Sequence, residues 1–198
     1  MPTFIHERMK FFFIHVPKTG GTSVTEFFFK NNRDPKRDVF SKLNVELGIH
    51  TGVSKVKKLL ESDFDQYFSF AFYRNTWDWN YSLYRYIKRT ASHPKHAEVK
   101  DLTFDQYVMD FMETFYRPQK PLVCLRNKSV ITRLEPFENF APTLKEILYE
   151  LGYDQRSDIA VTNAATKKVD YRDMYTNETK DKTFRVYRED IEFFNFEF

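Results

Sequence analysis

Apolar residues fill positions 11–14 and return at Val16, a run of strand length that ends at Pro17. Val24, Phe27 and Phe28 then recur at helical spacing, so the pattern predicts a strand, a tight turn and a helix. A second buried strand is predicted over 68–73. The helix that follows, over 76–89, carries Trp77, Tyr81, Tyr84 and Ile87 as its inward stripe. Shorter helices are predicted over 54–60, with Val56, Leu59 and Leu60 on one side, and over 104–115. Positions 130–134 read as a third strand, and 142–151 as a helix stopped by Gly152. A last helix, over 177–194, would turn Phe184, Tyr187, Ile191 and Phe194 inward. The polar segment 31–42 reads as a surface connection, and 90–101 as a mobile loop. Strands alternating with helices predict an α/β protein, a central parallel sheet with helices on both faces and ligands at the carboxyl ends of its strands.

The first turn carries chemistry. Pro17-Lys18-Thr19-Gly20-Gly21-Thr22-Ser23 sits where a strand meets a helix N-terminus, and there the first amides lack intrahelical partners and the dipole is positive. Gly20 and Gly21 permit close backbone approach, Lys18 adds charge, and Thr19, Thr22 and Ser23 add hydroxyls. By itself TGGTS also describes an ordinary turn with a Thr or Ser cap; the apolar strand and the lysine favour an anion site. A Walker A loop places its lysine after the glycines, whereas Lys18 precedes them. Arg74 likewise follows directly after a predicted strand, which offers a second positive group to an anion.

Size and composition narrow the class. A chain of 198 residues suits one buried core, so one domain is expected over 10–198, preceded by a flexible leader over 1–9. Aromatics make up 18% of the residues, which reads as a Phe-rich core before it reads as a base-stacking surface. A net charge of +3 is too small for a general nucleic-acid binder and suits a small anion. Cys124 is the single cysteine, so no internal disulfide forms, and no ligand cluster has zinc spacing. No metal is expected. The N-terminus lacks the apolar region of a signal peptide and no run reaches membrane-spanning length, which leads to the expectation of a soluble or cytoplasmic protein.

PKTGGTS resembles the 5′-phosphosulfate loop of sulfotransferases that use 3′-phosphoadenosine 5′-phosphosulfate (PAPS), particularly the carbohydrate-type, family-2-like members. The resemblance extends to Arg74 at a strand end and Ser82 eight positions later, the types and spacing with which that family holds the 3′-phosphate. It continues through Ile49-His50-Thr51, Ile131 to Glu135, Leu151-Gly152, Asn163 and the segment from Tyr187 onward, with Asp190 and a terminal aromatic cluster. Thr76 and Trp79 depart from the usual Pro and Arg. Without PKTGGTS, Arg74 and Ser82 would read as an Arg paired to Asp78 and a helix-surface Ser.

The resemblance implies a P-loop-like three-layer fold and sulfuryl transfer from PAPS to a hydroxyl, with a carbohydrate as the expected acceptor. It assigns cofactor binding to Lys18, Thr19, Gly20, Gly21, Thr22, Ser23, Arg74 and Ser82, and a charge-neutralising role in catalysis to Lys18. His50 is the candidate base, since imidazole titrates near pH ~6.5 and can accept a proton at neutral pH; packing or capping at the start of helix 54–60 is an equal reading. Glu46 is the fallback base. His15 reads as structural, and His93 and His96 as loop residues. Lys167, Lys168, Tyr171 and Arg172 are candidates for closing over the adenine, or form a solvated charged turn. The segments 31–42, 90–101 and 117–128 are the expected acceptor loops. The competing functions are a P-loop-type nucleotide kinase, which lacks GK[ST], and a non-catalytic module that binds an anionic glycan.

Overall fold

The computed structural model describes residues 3–7, 9–30, 47–48, 50–153 and 169–198. Its main elements are strands β1 (Phe4–His6) and β2 (Phe11–Ile14), helices α1 (Gly21–Lys30) and α2 (Val53–Leu60), strand β3 (Phe68–Tyr73), and helices α3 (Thr76–Arg89) and α4 (His96–Val99). The hairpin strands β4 (Cys124–Leu125) and β5 (Lys128–Ser129) follow, then β6 (Arg133–Pro136), α5 (Phe140–Glu150), α6 (Asn177–Val186) and α7 (Arg188–Phe194). No helix among the described residues is long and apolar enough to cross a membrane. The chain forms two compact units, 1–73 with 121–164 and 74–120 with 165–198.

The first unit is α/β and holds a mixed four-stranded sheet in the order β1-β2-β3-β6. Strands β2, β3 and β6 are parallel, with Phe13 opposite Phe70 and Phe70 opposite Arg133. β1 is antiparallel to β2, with Phe4 opposite Phe13, so the sheet is not wholly parallel. This corrects the leader: Phe4, Ile5 and His6 form a buried edge strand, paired with Phe13, Phe12 and Phe11 of β2, because Phe4 and Ile5 are apolar residues that this pairing removes from water. Strand alternation then sorts the side chains. Phe4, Phe11, Phe13, Phe70 and Phe72 meet Val24 and Phe27 of α1 and Phe140, Leu144, Ile147 and Leu148 of α5. On the other face Phe12 is fully buried, its ring 5.4 Å from that of Phe64.

The third strand is displaced from its expected span. Arg126 and Asn127 have φ of 49° and 63°, the left-handed pair of a two-residue hairpin turn, which draws Lys128 and Ser129 into pairing with β4. Val130 bonds back to Val123, and the parallel ladder opens with a side-chain pair: Thr132 N–H donates to Ser69 Oγ at 2.9 Å and Ser69 N–H to Thr132 Oγ1 at 3.1 Å. α5 ends as expected, with Gly152 at φ 82°.

The second unit is helical. Trp77, Tyr81, Tyr84 and Ile87 of α3 are buried together with Phe104, Tyr107, Phe111, Tyr187 and Ile191. The helix expected over 104–115 is split into an α-helical turn, a π-helical turn over Tyr107–Phe111 and a 3-10 turn over Met112–Phe115. Segment 90–101 is not simply loop: His96 Nδ1 lies 3.0 Å from the Ile87 carbonyl oxygen, and Val99 is fully buried. The last helix breaks at Tyr187, whose buried ring lies 5.7 Å from Trp79 and 5.1 Å from Tyr116. Thr179 and Thr183 take the inward face of α6, leaving Phe184 37% exposed rather than inside.

Candidate functional site

In the first unit the glycine turn is built by exclusion. Lys18 and Gly20 have φ of 62° and 78°, while Thr19 between them does not share the left-handed region. Alternation between the two hands over successive residues is the backbone pattern of anion-binding nests, here seen in the signs of φ alone. A non-glycine residue at positive φ costs roughly 1 kcal/mol, and Lys18 carries that cost at the head of the loop. A Cβ on Gly20 would come within 2.5 Å of the Phe140 ring, and one on Gly21 would overlap the His15 imidazole. The close approaches these glycines permit are therefore to rings of the protein itself, which clamp the turn.

The hydroxyls divide by burial. Thr19 is buried and donates to the Val16 carbonyl at 2.8 Å, so its proton braces the turn instead of facing a ligand. Ser23 is buried, and Thr22 is partly exposed. Val24 N–H makes the first intrahelical bond, to Gly20 at 3.2 Å, so the amides of Gly21 and Thr22 precede the ladder.

His50 reaches the same turn. Its ring lies 4.6 Å from that of His15, and its Nδ1 is 3.1 Å from the His15 carbonyl oxygen. A carbonyl only accepts, so Nδ1 carries the proton in the neutral ring and Nε2 carries the lone pair. His50 is at φ 60° and partly buried. His15 is thus more than a strand residue: it fills the space beside Gly21 and supplies the carbonyl that orients His50.

In the second unit Arg74 follows β3 directly in the chain. Its Nε and Nη2 donate to Asp78 Oδ2 and Oδ1 at 2.6 and 3.0 Å, and its Nη1 donates to Ser82 Oγ at 3.1 Å. Asn75 caps α3 by accepting from Trp77 N–H at 3.1 Å, which starts the helix where positions 78 and 82 face the guanidinium one and two turns on. The ion pair of Arg74 with Asp78 is present, and Ser82 accepts from the remaining Nη of the same guanidinium.

What holds the Arg74 backbone has no local signal in the sequence. Gln119 Oε1 accepts from Arg74 N–H at 3.0 Å, and Gln119 Nε2 donates to the Arg74 carbonyl at 2.8 Å. Gln119 N–H and Lys120 N–H in turn donate to the two oxygens of Asp190 at 2.6 and 2.8 Å. Asp190 is 1% exposed, and burial pushes its pKa up to about 6 against the pull of those two amides. Gln119 lies 45 positions from Arg74 and Asp190 71 positions from Gln119, separations across which no periodic signal connects residues.

Among the adenine candidates, the Tyr171 ring packs 5.9 Å from Phe198, while Arg172 stacks on Tyr171 at 4.7 Å and pairs with Asp170 at 3.4 Å. Lys167, Lys168, Asn163, Ile49, Glu46 and the segment 31–42 lie outside the described residues. Comparison with family models, curated proteins and solved structures found no match.

Proposed function

We propose that the protein is a PAPS-dependent sulfotransferase acting on a hydroxyl, with a carbohydrate as the acceptor class and the P-loop-like three-layer arrangement of that family. The observation that carries this reading is the 3.1 Å bond between Arg74 Nη1 and Ser82 Oγ. The motif required those two residues to act as a pair, and eight positions of chain bring them into contact. Guanidinium and hydroxyl together form a forked, charge-assisted donor set suited to a terminal phosphate. The turn over 17–23, with its alternating backbone and preceding lysine, suits the phosphosulfate end.

When bound, PAPS supplies the activated sulfuryl group. The chain's own tasks are then three. His50 Nε2 accepts the proton of the acceptor hydroxyl, as its tautomer permits. Lys18 meets the negative charge that develops on the departing phosphate side. Amides of the turn hold the anion in position, which supplies most of the acceleration in group transfers of this kind.

Calorimetry with 3′-phosphoadenosine 5′-phosphate tests the binding half. Tight binding is expected, weakened at least ~100-fold in Lys18→Ala and in Arg74→Ala, a loss of about 3 kcal/mol for a charged contact. No affinity in the folded wild type would sink the reading. Transfer of labelled sulfate from PAPS to a panel of glycans, lipids and small alcohols tests the rest. Nucleotide binding without transfer to any acceptor would favour the non-catalytic module, and magnesium-dependent ATP hydrolysis the kinase.

A further inference from the structure

We infer that Thr3, immediately before β1, is a positioning residue for His50; the inference rests on the reading of His50 as the base. Thr3 is fully buried, and its hydroxyl uses both of its capacities on backbone that flanks the two histidines. It accepts from His15 N–H at 3.1 Å and donates to the Thr51 carbonyl at 2.8 Å. His15 C=O is the group that His50 Nδ1 contacts at 3.1 Å, and Thr51 is the residue next to His50 in the chain. One side chain therefore ties the end of β2 to the segment that carries the base, and the His50 bond closes the circuit. The circuit fixes which imidazole nitrogen keeps its proton and which way the other faces.

Two features make this more than a packing role. A single hydroxyl can accept from one chain segment and donate to another at one point, and valine has threonine's shape with neither capacity. His50 also sits at a left-handed φ of 60°, a conformation that persists only where neighbours over-determine it. The segment read as a leader thus supports the proposed base from the residue that precedes the edge strand.

The test is ¹⁵N spectroscopy of histidine rings in the folded full-length chain, with His50 assigned by its loss in His50→Gln. Wild type is expected to show a neutral His50 ring protonated on Nδ1, and Thr3→Ser to preserve that state. Thr3→Val, with its amide spectrum still that of a folded protein, is expected to show a ring averaging between tautomers. Its kcat for sulfuryl transfer should fall on the order of 100-fold with KM for PAPS within about twofold, the signature of a displaced group and not of lost donor binding. A wild-type ring protonated on Nε2 would overturn the inference. So would a Thr3→Val protein with unchanged His50 signals and kcat. If Thr3→Val does not fold, Thr3→Ala is measured in the same way, and the wild-type tautomer remains decisive by itself. Absence of nucleotide binding by calorimetry would defeat the sulfotransferase reading separately, since the ring signals report the hold of Thr3 on His50 whatever the substrate.

Discussion

The turn around Gly20 and Gly21 and the cluster around Arg74 are both candidate anion sites, yet they are held by opposite means. The turn is held by exclusion: Phe140 and His15 occupy the volume in which side chains would lie, and two residues at positive φ set the path between. The Arg74 cluster is held by saturation. A buried carboxylate fixes two amides, an amide side chain clasps the Arg74 backbone, and Asp78 and Ser82 engage the guanidinium. The first arrangement tolerates no added atom, and the second no lost partner. Their responses to substitution and to pH should therefore differ.

Gly21→Ala should have the largest effect, because its methyl overlaps the His15 ring and the ring is hemmed in by Phe13 at 6.0 Å and His50 at 4.6 Å. A loss of about 3 kcal/mol in urea unfolding is expected, the upper end for overpacking. A stability near wild type would mean that the turn yields and that exclusion is the wrong description.

Asp190→Asn should cost somewhat less, about 2 kcal/mol. Asn keeps one acceptor but sets its NH2 against the second of the two amides that Asp190 serves. Because Gln119 and the Arg74 backbone lie downstream, affinity for 3′-phosphoadenosine 5′-phosphate should fall several-fold even though residue 190 is not assigned to the ligand. Unchanged affinity in the folded variant would break the link between Asp190 and Arg74.

The same substitution gives the second site a pH signature that Gly21→Ala should lack. The Asp190 pKa is raised from 3.8 to about 6 by burial, so the folded state binds its proton more tightly than the unfolded chain. Its contribution to stability is lowest above about pH 6, rises as pH falls, and levels off below about pH 4, at a slope approaching 1.4 kcal/mol per pH unit. Unfolding of wild type and Asp190→Asn at pH 7 and pH 4.5 should show the gap widening at the lower pH. A gap that narrows would mean a depressed pKa and a salt-bridged carboxylate.

The smallest effect belongs to Asp78→Asn. Asp78 shares the guanidinium and places a negative charge beside the proposed phosphate, so its neutralisation should tighten nucleotide binding several-fold at low salt and less at high salt. Weaker binding, measured by the same calorimetry, would show that Asp78 serves mainly to aim Arg74.

Legibility in the sequence followed the range of the interactions. β3 and α3 fall on their expected residues, since an apolar run and a 3.6-residue stripe are local signals, whereas Arg74 and Ser82 stand out in the sequence only through their resemblance to a family motif. Thr19 shows the limit of composition: its hydroxyl was legible as a donor, but the acceptor, Val16 C=O, depends on how the turn closes. Glycine was legible at 20 and 21, though not its reason, because the Phe140 ring arrives from a helix 120 residues away. The helix break at Tyr187 was likewise hidden, since mixed aromatic spacing there is compatible with one helix or two.

By itself the sequence determined that a strand enters a glycine turn and a helix, that a second strand delivers an arginine, and that a serine stands two turns further on. Those are consequences of backbone periodicity and of residue chemistry within one or two turns of chain. Only the tertiary structure decided that Phe4–His6 is an edge strand, that Thr3 joins His15 to the His50 segment, and that Asp190 and Gln119 stand behind Arg74. The edge strand depends on pairing with Phe11, Phe12 and Phe13, and the Thr3–Thr51, Arg74–Gln119 and Gln119–Asp190 bonds span 48, 45 and 71 positions. A buried donor or acceptor must find a partner somewhere, but nothing local says where.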